Sequence, residues 1–330
     1  MIITRTPFRI SFLGGGTDYP GWYKENGGAV LSTTINKYCY LSCRNLPPFF
    51  EHKYRVVYSF QELVKKIEDI DHPSVRTTLN FFNVDRGTEI HHQADLPAKS
   101  GLGSSSSFTV GLVNALSALN GEIKNKRQLA LDAIHIEQNL IKENVGSQDQ
   151  TAAAFGGLNR IDFGGMQEIS VQPLIISPNR SELFKDHLML FFTGLSRDAS
   201  KIAKEQIKNI KNRGSELKIM HEMVNEGTAI LVNKRGDLAE FGKLLNEGWK
   251  IKRSLSSKIT NPYLDNLYDA GIKAGALGGK LLGAGGGGFI LFFAKPEAQP
   301  KIRRRLKKLL YVPFQFDHLG SQIIYYAPNS

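Results

Sequence analysis

Pro97-Ala98-Lys99-Ser100-Gly101-Leu102-Gly103-Ser104-Ser105-Ser106-Ser107 follows the strand-like end at Leu96 and opens a helix, because Val110, Val113, Leu116 and Leu119 recur at helical spacing beyond it. Backbone N–H groups at such a helix start lack intrahelical acceptors, and with the helix dipole they favour an anion. Glycine lets the backbone approach a ligand closely, while serine hydroxyls can cap the helix, bind phosphate oxygens or ligate Mg²⁺. By itself the stretch fits a phosphate cradle and a capped turn equally well. No lysine follows Gly103, which excludes the G-x-x-x-x-G-K-[ST] phosphate loop. The other glycine cluster, Gly283-Ala284-Gly285-Gly286-Gly287-Gly288, matches G-x-G-x-x-G but precedes a strand-like run, where a dinucleotide fingerprint needs a helix.

On the N-terminal side of the loop, residues 2–13, 29–44 and 54–60 read as strands, separated by glycine clusters at 14–16 and 27–28. On its C-terminal side a second helix is expected from about 127 to 143. Strands then return at 157–163, 169–176 and 187–192, followed by helical stretches over 198–253 and another helix after Pro262. The chain closes with a strand at 289–293, a basic helix, and strands at 312–316 and 322–326. A boundary is expected near 175–185, around Ser177-Pro178-Asn179.

At 330 residues the chain exceeds one ordinary core, which suggests two parts closing over a cleft. Hydrophobic residues at 41% and charged residues at 22% are ordinary globular usage. The apolar run 288–294 is far shorter than the roughly 20 residues that span a bilayer, and Arg5 and Pro7 interrupt any leader-like segment, so a cytoplasmic location without membrane contact is expected. Cys39 and Cys43 would stand about 13 Å apart on one strand, beyond disulfide reach, and read as reduced thiols. Of the net charge of +11, six charges fall in Lys301, Arg303, Arg304, Arg305, Lys307 and Lys308, leaving +5. That run reads as the solvated face of a helix with Ile302, Leu306, Leu309 and Leu310 turned inward, which disfavours a nucleic-acid partner. The remaining excess suits a phosphorylated substrate.

Four further side chains carry chemistry. Glu137 falls on the apolar stripe Ala130, Ile134, Ile141, where a bare carboxylate needs a metal or a cationic partner. Asp149 either caps a short helix or serves as a base at an acceptor hydroxyl. Arg9 either binds phosphate or forms a surface salt bridge, and Asp18, after Gly14-Gly15-Gly16-Thr17, either caps the turn or binds hydroxyl groups of a ligand.

Taken together the sequence resembles the GHMP kinases, the family of galactokinase, homoserine kinase, mevalonate kinase and phosphomevalonate kinase. Three motifs carry the resemblance: residues 7–19, Pro-Phe-Arg-Ile-Ser-Phe-Leu-Gly-Gly-Gly-Thr-Asp-Tyr; residues 97–107; and residues 280–288, Lys-Leu-Leu-Gly-Ala-Gly-Gly-Gly-Gly. They span nearly the whole chain.

The resemblance implies an α+β fold in two domains. Residues 1–178 would resemble the second domain of ribosomal protein S5, and residues 179–330 would be ferredoxin-like. It implies ATP on Pro97, Gly101, Leu102, Gly103, Ser104, Ser105 and Ser106, with Mg²⁺ held by Ser105 and Glu137. Asp149, in Gly146-Ser147-Gln148-Asp149-Gln150, becomes the base and Arg9 its partner. The acceptor would meet Gly15, Gly16, Thr17, Asp18, Gly285 and Gly286, and Arg197 is a candidate phosphate ligand that also fits a surface residue at a helix start. Galactokinases carry Glu-His where this chain has Gly15-Gly16, which opens the sugar pocket. The turn looks most like that of the D-glycero-D-manno-heptose 7-phosphate kinases, with fucokinase-like enzymes the nearer rival. A sensor that binds sugar and ATP without turnover is the alternative from another class.

Overall fold

The computed structural model describes residues 1–165, 168–195 and 199–328. Strands β1 (Ile2–Leu13), β2 (Gly28–Asn45), β3 (Tyr54–Val57), β4 (Gln61–Val64), β5 (Thr88–Ala94), β6 (Leu158–Phe163) and β7 (Ile169–Pro173) form a first sheet. Strands β8 (Leu188–Phe192), β9 (Gly278–Leu281), β10 (Phe289–Phe293) and β11 (Leu310–Tyr311) form a second, antiparallel sheet in the order β11-β8-β10-β9. The chain then returns to the first sheet, where β12 (Phe316–Asp317) pairs with β2 and β13 (Gln322–Tyr326) with β1. Sheet membership therefore does not follow the division expected at 178/179. Helices occupy both parts, giving the mixed α+β architecture that the sequence implied.

The first half of β1 alternates between buried and half-buried residues, and from Thr6 onward it is buried on both faces. The helix Ser104–Leu119 covers it, with every residue from Ser106 to Leu119 buried. Close approach is made possible by Gly111, where a Cβ would fall 2.8 Å from Thr6 Oγ1. Thr4 Oγ1 donates to the Gly111 carbonyl at 3.1 Å, so the strand and helix are also pinned by a buried hydrogen bond.

An aromatic seam joins the two sheets. Phe12 from β1 meets Phe184 and Phe241 edge-on at centroid separations of 5.3 and 5.8 Å, and Phe184 lies 6.1 Å from Phe293 of β10. All four rings are buried. Truncating one would cost about 3–5 kcal/mol, so the seam fixes how the two sheets face the cleft at its end.

Several local expectations fail for identifiable reasons. Pro73–Phe81 is a helix in a region read as strand and turn; it is only 9 residues long and buries little more than Val75 and Leu79 of its apolar side chains, too few to show a period. The strand expected at 312–316 divides into β11 and β12 around Pro313, which has no N–H for a ladder. In the basic segment Ile302 and Leu306 turn inward as expected, but Leu310 is 66% exposed on β11. Cys39 and Cys43 are buried free thiols, and burial pushes Cys43 up to about 12. Among the described residues no helix is long and apolar enough to cross a membrane.

Candidate active site

β1 and the glycine loop meet through the backbone, where the Arg9 N–H donates to the Leu102 carbonyl at 2.9 Å. The Arg9 side chain then turns into the cleft. Its Nε and Nη2 donate to Oδ1 and Oδ2 of Asp149, each at 2.8 Å, and Nη1 donates to the Gly101 carbonyl at 2.7 Å. Arg9 is 3% exposed and the Asp149 side chain 25% exposed, so the carboxylate reaches the cleft while the guanidinium holds it from behind. Asp149 stands in the first turn of the helix Gln148–Phe155. Gly103, at φ 76°, closes the loop over this pair, since a Cβ there would lie 3.2 Å from Arg9 Cγ and 3.5 Å from the Asp149 carboxyl carbon. The expected Arg9–Asp149 partnership is thus formed, with Arg9 buried rather than at the surface, and Asp149 also stands in the first turn of the short helix, as its other reading had it.

Asp18 is buried at the end of the Gly14–Gly16 turn. Its Oδ1 accepts from the Gly16 N–H at 2.9 Å and its Oδ2 from the Gln148 N–H at 3.4 Å. Burial, with Asp149 nearby, pushes its carboxyl above the usual range against the pull of those backbone donors. Gly146 makes room for it, because a Cβ there would sit 1.8 Å from Asp18 Oδ2.

Glu137 is reached by an irregular helix. The helix Lys126–Ile134 widens into a π segment over His135–Leu140, closed by a bond from the Ile141 N–H to the Ile136 carbonyl at 2.8 Å. Glu137 is 0% exposed there. Its Oε2 accepts from Ser106 Oγ at 2.8 Å and from Gln150 Nε2, while its buried Oε1 has no partner. Burial raises its carboxyl to about 7. An orphaned buried carboxylate oxygen beside serine hydroxyls fits a cation. Among the described residues no group of three or more His, Cys, Asp or Glu could hold a metal by itself. The donor set therefore suits Mg²⁺ bound together with nucleotide phosphates, the usual habit of that ion. Ser106 bonds Glu137 directly, because the helix turns Ser106 inward, while Ser105, the serine implied as a Mg²⁺ ligand, stands exposed at the cleft.

Gly15, Gly16, Asp18, Gly101, Gly103, Ser104, Ser105, Ser106, Arg9 and Asp149 all border one cleft. Other expected residues do not line it. Thr17 is buried, its hydroxyl donating to the Gly14 and Ala29 carbonyls at 2.8 Å, so it braces the turn. Leu102 packs in the core and Pro97 is exposed outside the cleft. Gly283 and Ala284 line the wall, whereas Gly285 and Gly286 turn onto Ile259, with the Gly286 N–H donating to the Ile259 carbonyl at 2.7 Å. Arg197 lies outside the described residues. The sequence reading missed Ser11, Gln148, Lys252 and Lys280, which also face the cleft. Lys280 could have been found as a cation inside an otherwise uncharged strand.

Residues 62–157 match the GHMP kinases N terminal domain and residues 229–312 the GHMP kinases C terminal family. The chain is 29% identical over 319 residues to a D-glycero-alpha-D-manno-heptose 7-phosphate kinase of Campylobacter jejuni, covering 93% of each protein. It is 28% identical over 342 residues to an L-fucokinase/L-fucose-1-P guanylyltransferase of Bacteroides fragilis, covering 92% of this chain and 35% of that protein. The fold superposes on a D-glycero-D-manno-heptose 1-phosphate kinase structure from Bacteroides thetaiotaomicron with a TM-score of 0.80 at 22% identity, covering 98% and 99% of the two chains.

Proposed function

The chain belongs to the GHMP kinase family, and from that footing we propose that it transfers the γ-phosphoryl group of ATP to the anomeric O1 hydroxyl of D-glycero-D-manno-heptose 7-phosphate, giving the 1,7-bisphosphate. The observation that carries the reading is the Arg9–Asp149 pair facing the cleft directly beneath the Gly101–Ser106 loop. Asp149 accepts the proton of the O1 hydroxyl, O1 bonds to the γ-phosphorus, and the bond to the bridging oxygen breaks to release ADP. Arg9 keeps Asp149 aimed and offsets charge as the phosphoryl group moves. Helix N–H groups after Gly103 and the hydroxyls of Ser104 to Ser106 hold the phosphates. Mg²⁺, when bound, neutralises phosphate charge; Glu137, with Ser106 and Ser105, would hold it. Asp18 and the open Gly15-Gly16 turn receive the sugar.

The test is ADP release with Mg²⁺·ATP and, in turn, heptose 7-phosphate, fucose, galactose and mannose, with the phosphorylated position read by phosphorus NMR. Heptose 7-phosphate is expected to give the highest kcat/KM, with phosphate added at O1. Best turnover of fucose would replace the reading by a fucokinase-like one, and binding without turnover would replace it by a sensor.

A further inference from the structure

We propose that Gly15, Ser11 and the Gln148 side chain form a pocket for one hydroxyl group of a bound sugar. The inference rests on the kinase reading above and names neutral groups with which this chain would recognise its substrate.

Three glycines make the turn after β1, and the fold itself demands only two of them. Gly14 and Gly16 hold φ of 80° and 117°, and a Cβ on Gly14 would fall 1.9 Å from the Ala29 carbonyl oxygen. Gly15 lies outside the left-handed region, and a Cβ there would meet its surroundings at ordinary van der Waals distances. Neither backbone strain nor crowding bars an alanine at position 15. What its missing side chain provides is room beside the cleft that Gly15 borders.

That room has a polar lining. Apart from the chain neighbours of Gly15, two atoms of the described residues lie within 4 Å of the Cβ position, Ser11 Oγ and Gln148 Nε2, each at 3.6 Å. Ser11 is 4% exposed and its Oγ has no partner among the described residues, and Gln148 Oε1 is also buried without one. Both residues border the cleft. The Gln148 backbone is fixed by its N–H, which donates to Asp18 Oδ2 at 3.4 Å, and Asp149 follows directly in the chain. Ser11 follows Arg9 by two residues on β1, so the two side chains leave the same face of the strand about 7 Å apart. The pocket therefore stands beside the Arg9–Asp149 pair.

The unpaired atoms specify the ligand. Ser11 Oγ and Gln148 Oε1 are acceptors, while the Ser11 hydroxyl and Gln148 Nε2 can donate. A phosphate dianion brings no proton to such acceptors, whereas a sugar hydroxyl both donates and accepts. Buried polar atoms without partners cost stability, and one hydroxyl between these two side chains would complete both. Ser32, which pairs with Ser11 across the sheet, carries another buried unpartnered hydroxyl but does not border the cleft, and so supplies a control.

The test compares ADP release and thermal unfolding in wild type, Gly15→Ala, Ser11→Ala and Ser32→Ala, using whichever of heptose 7-phosphate, fucose, galactose and mannose wild type turns over best. Gly15→Ala is expected to raise the KM of one substrate about tenfold or more, and Ser11→Ala to lower kcat/KM for that substrate about tenfold, while both unfold at the wild-type temperature or a few degrees higher. Ser32→Ala should leave both KM values within about a factor of two. A rise confined to the acceptor puts the hydroxyl on the acceptor and one confined to ATP puts it on the ribose; either supports the pocket. With monodeoxy analogues of that substrate, the Ser11→Ala loss should vanish for the analogue lacking the bound hydroxyl. Unchanged KM values in Gly15→Ala, a lower unfolding temperature in both variants, a loss of equal size in Ser32→Ala, or a Ser11→Ala loss that persists with every analogue would overturn the pocket. Should wild type release no ADP with any sugar, the kinase reading fails by itself, and calorimetry then decides the pocket. Heptose 7-phosphate or ATP that binds Gly15→Ala about tenfold more weakly supports it, and binding that is absent or equal overturns it.

Discussion

Arg9 and Asp149, 140 positions apart, face each other as two planar groups joined by parallel hydrogen bonds of 2.8 Å, with the third guanidinium nitrogen on the Gly101 carbonyl. One residue thereby fixes both the carboxylate proposed as the base and the loop proposed to hold the phosphates. A lysine has no planar fork with which to do this. Asp149→Asn is expected to lower kcat by about 10²–10⁴-fold in the ADP-release assay. Arg9→Lys should lose activity on a similar scale with a lower unfolding temperature, because a buried two-pronged pair is broken. Turnover within a few-fold of wild type for Asp149→Asn would remove it as the base.

Glu137 separates stability from activity. Its carboxyl, raised to about 7 by burial, sits without a cationic partner. Glu137→Gln removes the charge and retains the shape, so at pH 8 without nucleotide it is expected to unfold at the same temperature as wild type or a few degrees higher. Its turnover should fall about 100-fold, with a raised requirement for Mg²⁺. Scanning calorimetry beside a Mg²⁺ titration of activity checks both halves.

Gly146→Ala probes Asp18 without touching its charge. The new Cβ would meet Asp18 Oδ2 at 1.8 Å, so the carboxylate must swing away from the Gly16 and Gln148 N–H groups. An acceptor KM raised about tenfold or more, with the KM for ATP within a factor of two, is the expected split.

Acid stability should depend on the ring cluster beside the serine-loop helix. His72 and His92 pack on Phe108 at centroid separations of 4.7 and 5.1 Å. Burial, with His72 adding a smaller repulsion, lowers His92 to about 4. The folded state therefore binds fewer protons than the unfolded chain between about pH 6.5 and 4. Stability from this group is present above 6.5 and is lost as pH falls toward 4, on the order of 2 kcal/mol after allowing for partial solvent access. His92→Gln should flatten the fall in unfolding temperature over that range, as read by circular dichroism melts.

Much of the site was legible because its chemistry is local. The residue types of the Gly101–Ser107 turn, the lack of a lysine after Gly103, the apolar neighbours of Glu137 and the Gly146–Gln150 run can each be read within a dozen residues. Local pattern also located β1 and β10, since their apolar runs have sharp glycine limits. It failed where a residue's role depends on which way a turn faces. Thr17 looks like a ligand group but braces Gly14 and Ala29, and Gly285 and Gly286 look like a cradle but rest on Ile259.

The sequence by itself determined which chemical groups this protein brings to the proposed phosphoryl transfer, because glycine freedom, hydroxyls, carboxylates and their spacing are properties of short stretches. Only the tertiary structure decided how they meet. The π turn and the helix after Gly103 together put Ser106, not Ser105, on Glu137, and the return of β12 and β13 to the first sheet gives its final form. A hydrogen bond from Lys280 of β9 to the Phe12 carbonyl of β1 ties the second sheet to the first, and Lys280 borders the same cleft as the Gly101–Ser106 loop. Those outcomes depend on burial and on contacts between residues far apart in the chain, and no local period or motif encodes them.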